Sequence, residues 1–150
     1  MFVGSDRDPL FLDVNVPMFA AGRPHRYKTP CSQIMKAIAE ERLSTAIDTT
    51  IIQEILYRYG VLQRWEIAVA MALDMTLTPT ILPVMEEEIR LTVDTFDRHA
   101  KKGVTARALI HVAVMKTNEL AEIISADEHF DMLEGIQRID PIRYASSLEV

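Results

Sequence analysis

The sequence predicts an α/β domain: a mostly parallel central sheet of four to five strands, with helices on both faces. Three observations carry that reading. Short apolar runs recur at Pro9–Asn15, Ser44–Asp48 and Leu120–Ser125, of the length and apolarity of strands buried on both faces. Between them lie longer segments with apolar residues at helical spacing. Cap and breaker residues such as Thr49, Gly60, Gly103 and Thr105 punctuate the alternation.

Pro9–Asn15 (PLFLDVN) reads as the first strand. Alternating side chains put Asp13 and Asn15 on one side of its carboxyl end. Pro17–Thr29 reads mainly as a loop, with a short helix around Met18–Ala21 and a basic stretch from Arg23 to Lys28. Pro30–Leu43 reads as a helix through Cys31, Ile34, Met35 and Ile38. Ser44–Asp48 is a second strand, after which Thr49 and Thr50 supply an N-cap for a helix that Gly60 breaks. The next helix, Leu62–Met75, is apolar nearly all round, which suits burial or a subunit interface. Leu77–Val84 resembles a third strand. Met85–Lys101 is a charged helix whose Glu86-Glu87-Glu88 run suits its N-terminus, with Gly103 closing it. Thr105 caps a helix through Thr117. Leu120–Ser125, a helical turn at Glu128–Leu133 and a last strand at Gly135–Asp140 complete the reading.

Residues 1–145 form one domain on this reading, and 146–150 read as a terminal remnant. A chain of 150 residues buries roughly 68–70% of its unfolded surface. Its 49% hydrophobic and 25% charged residues are ordinary for a globular domain. No apolar run approaches the ~18 residues of a membrane span, and no signal peptide is evident. A single cysteine, Cys31, excludes an internal disulfide and fits a reducing cytoplasm; it reads as a core residue. The net charge of −6 argues against broad electrostatic adhesion to polyanions. Five glycines leave no Rossmann or P-loop fingerprint. The four histidines are scattered without zinc spacing, and His111 reads as helix packing rather than catalysis.

Three acids adjoin these elements. Asp13 ends the first strand, Glu54 lies in an otherwise apolar helical segment after the second, and Asp127 follows the fourth. In a parallel sheet all three gather at the carboxyl edge, where ligands bind. Each also has a purely structural reading: Asp13 capping the next turn, Glu54 on a solvated helix face, Asp127 capping the turn before Phe130.

Taken together, Phe11–Asn15 (FLDVN), Ile51–Ile55 (IIQEI), Arg107–Met115 (RALIHVAVM), Ile123–Asp131 (IISADEHFD) and Gly135–Pro141 (GIQRIDP) resemble the PIN domain. Their order and spacing are similar to those of the VapC-like toxins of prokaryotic toxin–antitoxin pairs. The resemblance implies a PIN-like fold and a metal-dependent ribonuclease with four acids around Mg²⁺ or Mn²⁺. The first, second and fourth acids map to Asp13, Glu54 and Asp127. Asn15 matches a small polar residue supporting the site, and Asp131 an acid that supports the metal ligands from behind. The third acid falls where this chain has Ala108. An Asp-to-Ala change made to silence a toxic nuclease accounts for that, as does a naturally degenerate copy. The resemblance further implies an RNA substrate and a VapB-like antitoxin partner, while the apolar helix Leu62–Met75 points to a homodimer, with core burial as its alternative. The alternative is a catalytically silent interaction protein that binds an antitoxin and self-associates. A receiver-type signalling domain fits less well, because Ser125 is followed by Ala126 and Asp127 rather than by that family's later-strand pattern.

Clustered carboxylates call for a cation. Two of them about 5 Å apart at an effective dielectric of about 20 repel by roughly 3 kcal/mol. Mg²⁺ relieves that conflict and keeps waters that can attack a phosphodiester.

Overall fold

The computed structural model describes residues 8–148. Residues 1–7 and 149–150 lie outside that range. Five strands, β1 (Leu10–Leu12), β2 (Thr45–Asp48), β3 (Thr80–Leu82), β4 (Glu122–Ile124) and β5 (Gln137–Ile139), form one sheet. Every pairing is parallel, and the strand order is β3-β2-β1-β4-β5. Phe11 pairs with Ala46 on one side and Ile123 on the other, so β1 is central. The chain builds outward from β1 through β2 and β3, then returns to place β4 on β1's other side. That reversal makes the carboxyl ends of β1 and β4 a topological switch point, where a crevice opens.

Side-chain alternation divides the core into two layers. Leu12, Ile47 and Ile124 face α1 (Asn15–Ala21), α2 (Lys28–Ala39), α3 (Thr49–Val61) and α4 (Trp65–Leu77). Phe11, Ala46 and Ile123 face the opposite layer, built largely on α6 (Ala106–Thr117). There α5 (Glu86–Ala100) packs on α6, and on the first face α7 (Pro141–Ser147) packs on α2. A 3₁₀ turn, Glu128–Met132, follows β4.

Several boundaries differ from the sequence reading. Asn15 opens α1 rather than ending the strand, so the expected short helix starts earlier, and α2 begins at Lys28, which leaves 22–27 as the loop. Pro17 is tolerated because it sits in α1's first turn, where no intrahelical partner for its nitrogen is needed. The cap of α3 is Asp48, whose carboxylate accepts from the Thr50 and Ile51 amides; the threonines begin the helix itself. Gly60 does not break α3, which continues to Val61 and ends as Gln63 turns to a φ of 58°. The final helix, α7, was not foreseen; Asp140 caps it and Pro141 opens it. Leu148, just past α7, packs against the first core layer.

Candidate active site

One cleft of about 310 Å³ opens at the carboxyl edge of the sheet, lined by Asp13, Asn15, Glu54, Ala108 and Asp127. Each reaches it from a different element. Asp13 follows β1, and Asn15 starts α1. Glu54 is in the second turn of α3, Ala108 in the first turn of α6, and Asp127 just beyond β4. Arg58, Arg107, His111, His129 and Gly103 complete the walls.

Asp13 is nearly buried, at 7% exposure, and held by uncharged donors. The Val14 amide donates to its Oδ1 at 2.8 Å; the Ser125 hydroxyl (2.6 Å) and Asn15 Nδ2 (3.2 Å) donate to its Oδ2. Ser125 is fully buried and also accepts from Asn15 Nδ2 and from the Asp127 amide. One hydroxyl therefore ties the ends of β1 and β4 together. Asp127 is a third exposed and caps the 3₁₀ turn, its Oδ1 accepting from the His129 amide and lying 2.7 Å from His129 Nδ1. Its capping reading thus holds alongside its place in the cleft.

Glu54 is 3% exposed, so the solvated-face reading does not hold. Each of its oxygens has its own arginine: Oε2 lies 2.9 Å from Arg58 Nη2, and Oε1 lies 3.4 Å from Arg107 Nε. Beneath the cleft, His111 Nδ1 meets Asp48 Oδ2 at 2.6 Å, with both side chains buried. Burial alone would depress the His111 pKa. The hydrogen bond and charge of Asp48, with the nearby charges of Asp13 and Glu54, carry it instead above the ordinary histidine value. Burial would likewise raise Asp48, but His111 and Thr50 hold its carboxyl below the usual carboxylate range.

Gly103, at a φ of 89°, turns the chain from α5 into α6. The positive φ favours glycine, and a Cβ there would also stand 3.1 Å from His129 Nε2, a tight contact. Ala108, 4% exposed, donates its amide to Thr105 Oγ1, the cap of α6.

Asp131 does not join the cleft. It pairs in two-point fashion with Arg138, at 3.0 and 3.1 Å, and Arg138 in turn donates to the Ser125 carbonyl. The basic stretch Arg23–Lys28 does not line the cleft either. There Arg26 lies over the Tyr27 ring, and Lys28 donates to the carbonyls of Ala20 and Gly22. Cys31 is buried, and burial pushes its thiol up to about 12, with the Asp140 charge adding to the effect.

Sequence reasoning overlooked Ser125, Arg58 and Arg107. Two of the three had a local signal: Arg58 is one helical turn from Glu54, and Ser125 shares Asp127's parity beyond β4. Among the described residues, no three His, Cys, Asp or Glu side chains stand close enough together to hold a metal ion. The donor chemistry nonetheless fits a hard divalent cation, since three carboxylates line one cleft.

No protein-family model matches the chain. Ribonuclease VapC13 of Mycobacterium tuberculosis is 29% identical over 134 residues, covering 87% of this chain and 98% of that protein. Among solved structures, the sarcin–ricin-loop-cleaving toxin VapC20 of the same organism is similar with a TM-score of 0.68 at 12% identity. That match covers 82% of this chain and 93% of VapC20. VapBC2 of Rickettsia felis, solved on a DNA fragment from its promoter, has a TM-score of 0.67 at 10% identity, covering 88% and 98%. The chain is thus similar in sequence to VapC ribonucleases, and it has the fold of the solved VapC toxins.

Proposed function

We propose that the chain is a VapC-like endoribonuclease, the toxin half of a toxin–antitoxin pair, which hydrolyses RNA phosphodiesters with Mg²⁺ or Mn²⁺. The observation that carries this is the convergence of Asp13, Glu54, Ala108 and Asp127 from four separate elements on one cleft. The resemblance to VapC13 and to VapBC structures supports RNA as substrate and a VapB-like antitoxin as partner. No helix among the described residues is long and apolar enough to cross a membrane, and we infer a cytoplasmic site of action.

Asp13, Glu54 and Asp127 would hold the cation. When bound, it would supply an activated water and stabilise charge developing on the phosphate. The chain's own residues prepare that chemistry. Ser125, Asn15 and the Val14 amide fix the Asp13 carboxylate in one orientation, so its geometry is set before substrate arrives. The buried Asp48–His111 pair anchors α6 to the end of β2 and keeps the Ala108 position facing Asp13 and Glu54.

Ala108 lowers this activity by removing one oxygen ligand. Ala108→Asp should raise Mg²⁺- or Mn²⁺-dependent cleavage at least about tenfold, equivalent to roughly 1.4 kcal/mol of barrier. A single-turnover assay on structured and unstructured RNA tests this. Equal cleavage by both forms would show that Ala108 is not the missing ligand position. Failure of both on every RNA would favour the second reading, a silent interaction protein, for which Ala108 is the specific observation.

A further inference from the structure

Glu54 stands apart from the other acids of the cleft. Among the described residues, neither Asp13 nor Asp127 has a guanidinium partner, whereas both oxygens of Glu54 are engaged by one. The two arginines come from different elements. Arg58 lies one turn along α3 from Glu54, and Arg107 comes from the first turn of α6, beside Ala108. Their side chains are 43% and 45% exposed, while Glu54 is buried. The carboxylate is therefore fixed and the guanidiniums have room to move. A cation ligated by Glu54 competes with them for the lone pairs and charge of that carboxylate.

A displaced arginine still lies at the mouth of the cleft, where the scissile phosphate has to enter. The guanidinium fork matches a phosphate as well as it matches a carboxylate. Resting on the ribonuclease reading above, we propose that Arg58 and Arg107 form an exchangeable clamp. They hold Glu54 while the cleft has no cation, and pass to an RNA phosphate when a divalent cation takes the carboxylate. Cation and RNA then promote each other's binding, and the coupling is reciprocal.

A merely structural role for the arginines would make their loss weaken everything. The clamp requires effects of opposite sign. Removing both guanidiniums frees Glu54 and removes two positive charges beside the cation, so metal binding tightens. The same change removes two phosphate contacts, so RNA binding weakens.

The test uses the full chain and the Arg58→Gln/Arg107→Gln double variant, with the two single variants alongside in case the double fails to fold. Mn²⁺ alone is titrated by calorimetry. A short single-stranded RNA is then titrated by fluorescence anisotropy across a salt series. The double variant should bind Mn²⁺ at least about five-fold tighter, the low end of typical site-to-site couplings. Its RNA affinity should fall, with the salt slope reduced by about 0.7 for each lost contact. In a Glu54→Gln background, the arginine substitutions should tighten Mn²⁺ binding less than in the full chain, because only the removal of positive charge remains. Unchanged or weaker Mn²⁺ binding in the arginine variants overturns the clamp, as does an unchanged RNA salt slope. Either result leaves the ribonuclease reading to stand or fall separately, on cleavage by Ala108→Asp.

Discussion

At Ala108, a single side chain sets stability against chemistry. A carboxylate in the first turn of α6 gains about 0.3–1 kcal/mol from the helix dipole. Against that, it joins Asp13 and Glu54 in lining one cleft, and two carboxylates that come within about 5 Å repel by roughly 3 kcal/mol. Repulsion wins, so Ala108→Asp should be less stable by about 2 kcal/mol in EDTA, a fall of roughly 4–8 °C in Tm. Mn²⁺ should restore most of that loss. Equal melting of both chains in EDTA would show that the carboxylates do not meet. The Asp48–His111 pair makes a second claim at this scale. His111 has a raised pKa in the fold, so its contribution is complete below the unfolded value of about 6.5 and fades as pH rises through the folded one. Asp48 has a lowered pKa, so its contribution is complete above about 3.9 and fades as pH falls through the folded value. Stability should therefore be greatest at weakly acidic pH and decline on the alkaline side. That decline should be absent in His111→Gln, measured by urea unfolding at a series of pH values.

The elements show what a sequence discloses about itself. The buried strands were legible because both of their faces are apolar, and Asp13 and Asp127 were legible because parallel strands bring their carboxyl ends together. Glu54 stood out as an acid in an apolar helical segment. Helix boundaries were less legible where two cap signals competed. Asp48 beats Thr49 and Thr50 as the cap of α3 because its carboxylate can accept from two amides at once. Gly60 did not act as a breaker because Arg64 and Gln63, beyond it, donate their amides back to Tyr59 and Gly60 and close the helix there. The contacts that finish the site, Ser125 with Asp13 and Arg107 with Glu54, join elements far apart in the chain, and no local pattern encodes them. The cap of α6 was legible, and it bears on the site directly. Thr105→Ala should cost about 1 kcal/mol and loosen the turn that carries Arg107 and Ala108. Urea unfolding would measure the cost; an unchanged midpoint would show that the Thr105 bond to the Ala108 amide contributes nothing.

Across the whole molecule, apolar surface is distributed unevenly. The sequence reading of Leu62–Met75 left open whether its apolar residues are buried or form an interface, and α4 divides between the two. Ala68, Met71, Ala72 and Met75 enter the core, while Trp65, Val69, Leu73 and Leu77 are each more than half exposed. Tyr57, Val61 and Leu62, at the end of α3, are also more than half exposed and extend the apolar surface of the α3–α4 hairpin. Scattered exposed apolar residues are normal, but a contiguous apolar face on two packed helices is of the kind that associates. A second copy of the chain is the partner this predicts, since an isologous contact needs only one self-complementary patch. Sedimentation at micromolar concentration should show a species of about twice 17.0 kDa. Val69→Glu with Leu73→Glu should return it to monomer without unfolding it, because both side chains are already half in water. Burial at the contact should also shift Trp65 fluorescence to shorter wavelength as concentration rises. A monomer at every concentration, with constant Trp65 emission, would remove self-association from this account. The cleft would be untouched by that result, because Val69 and Leu73 do not line it.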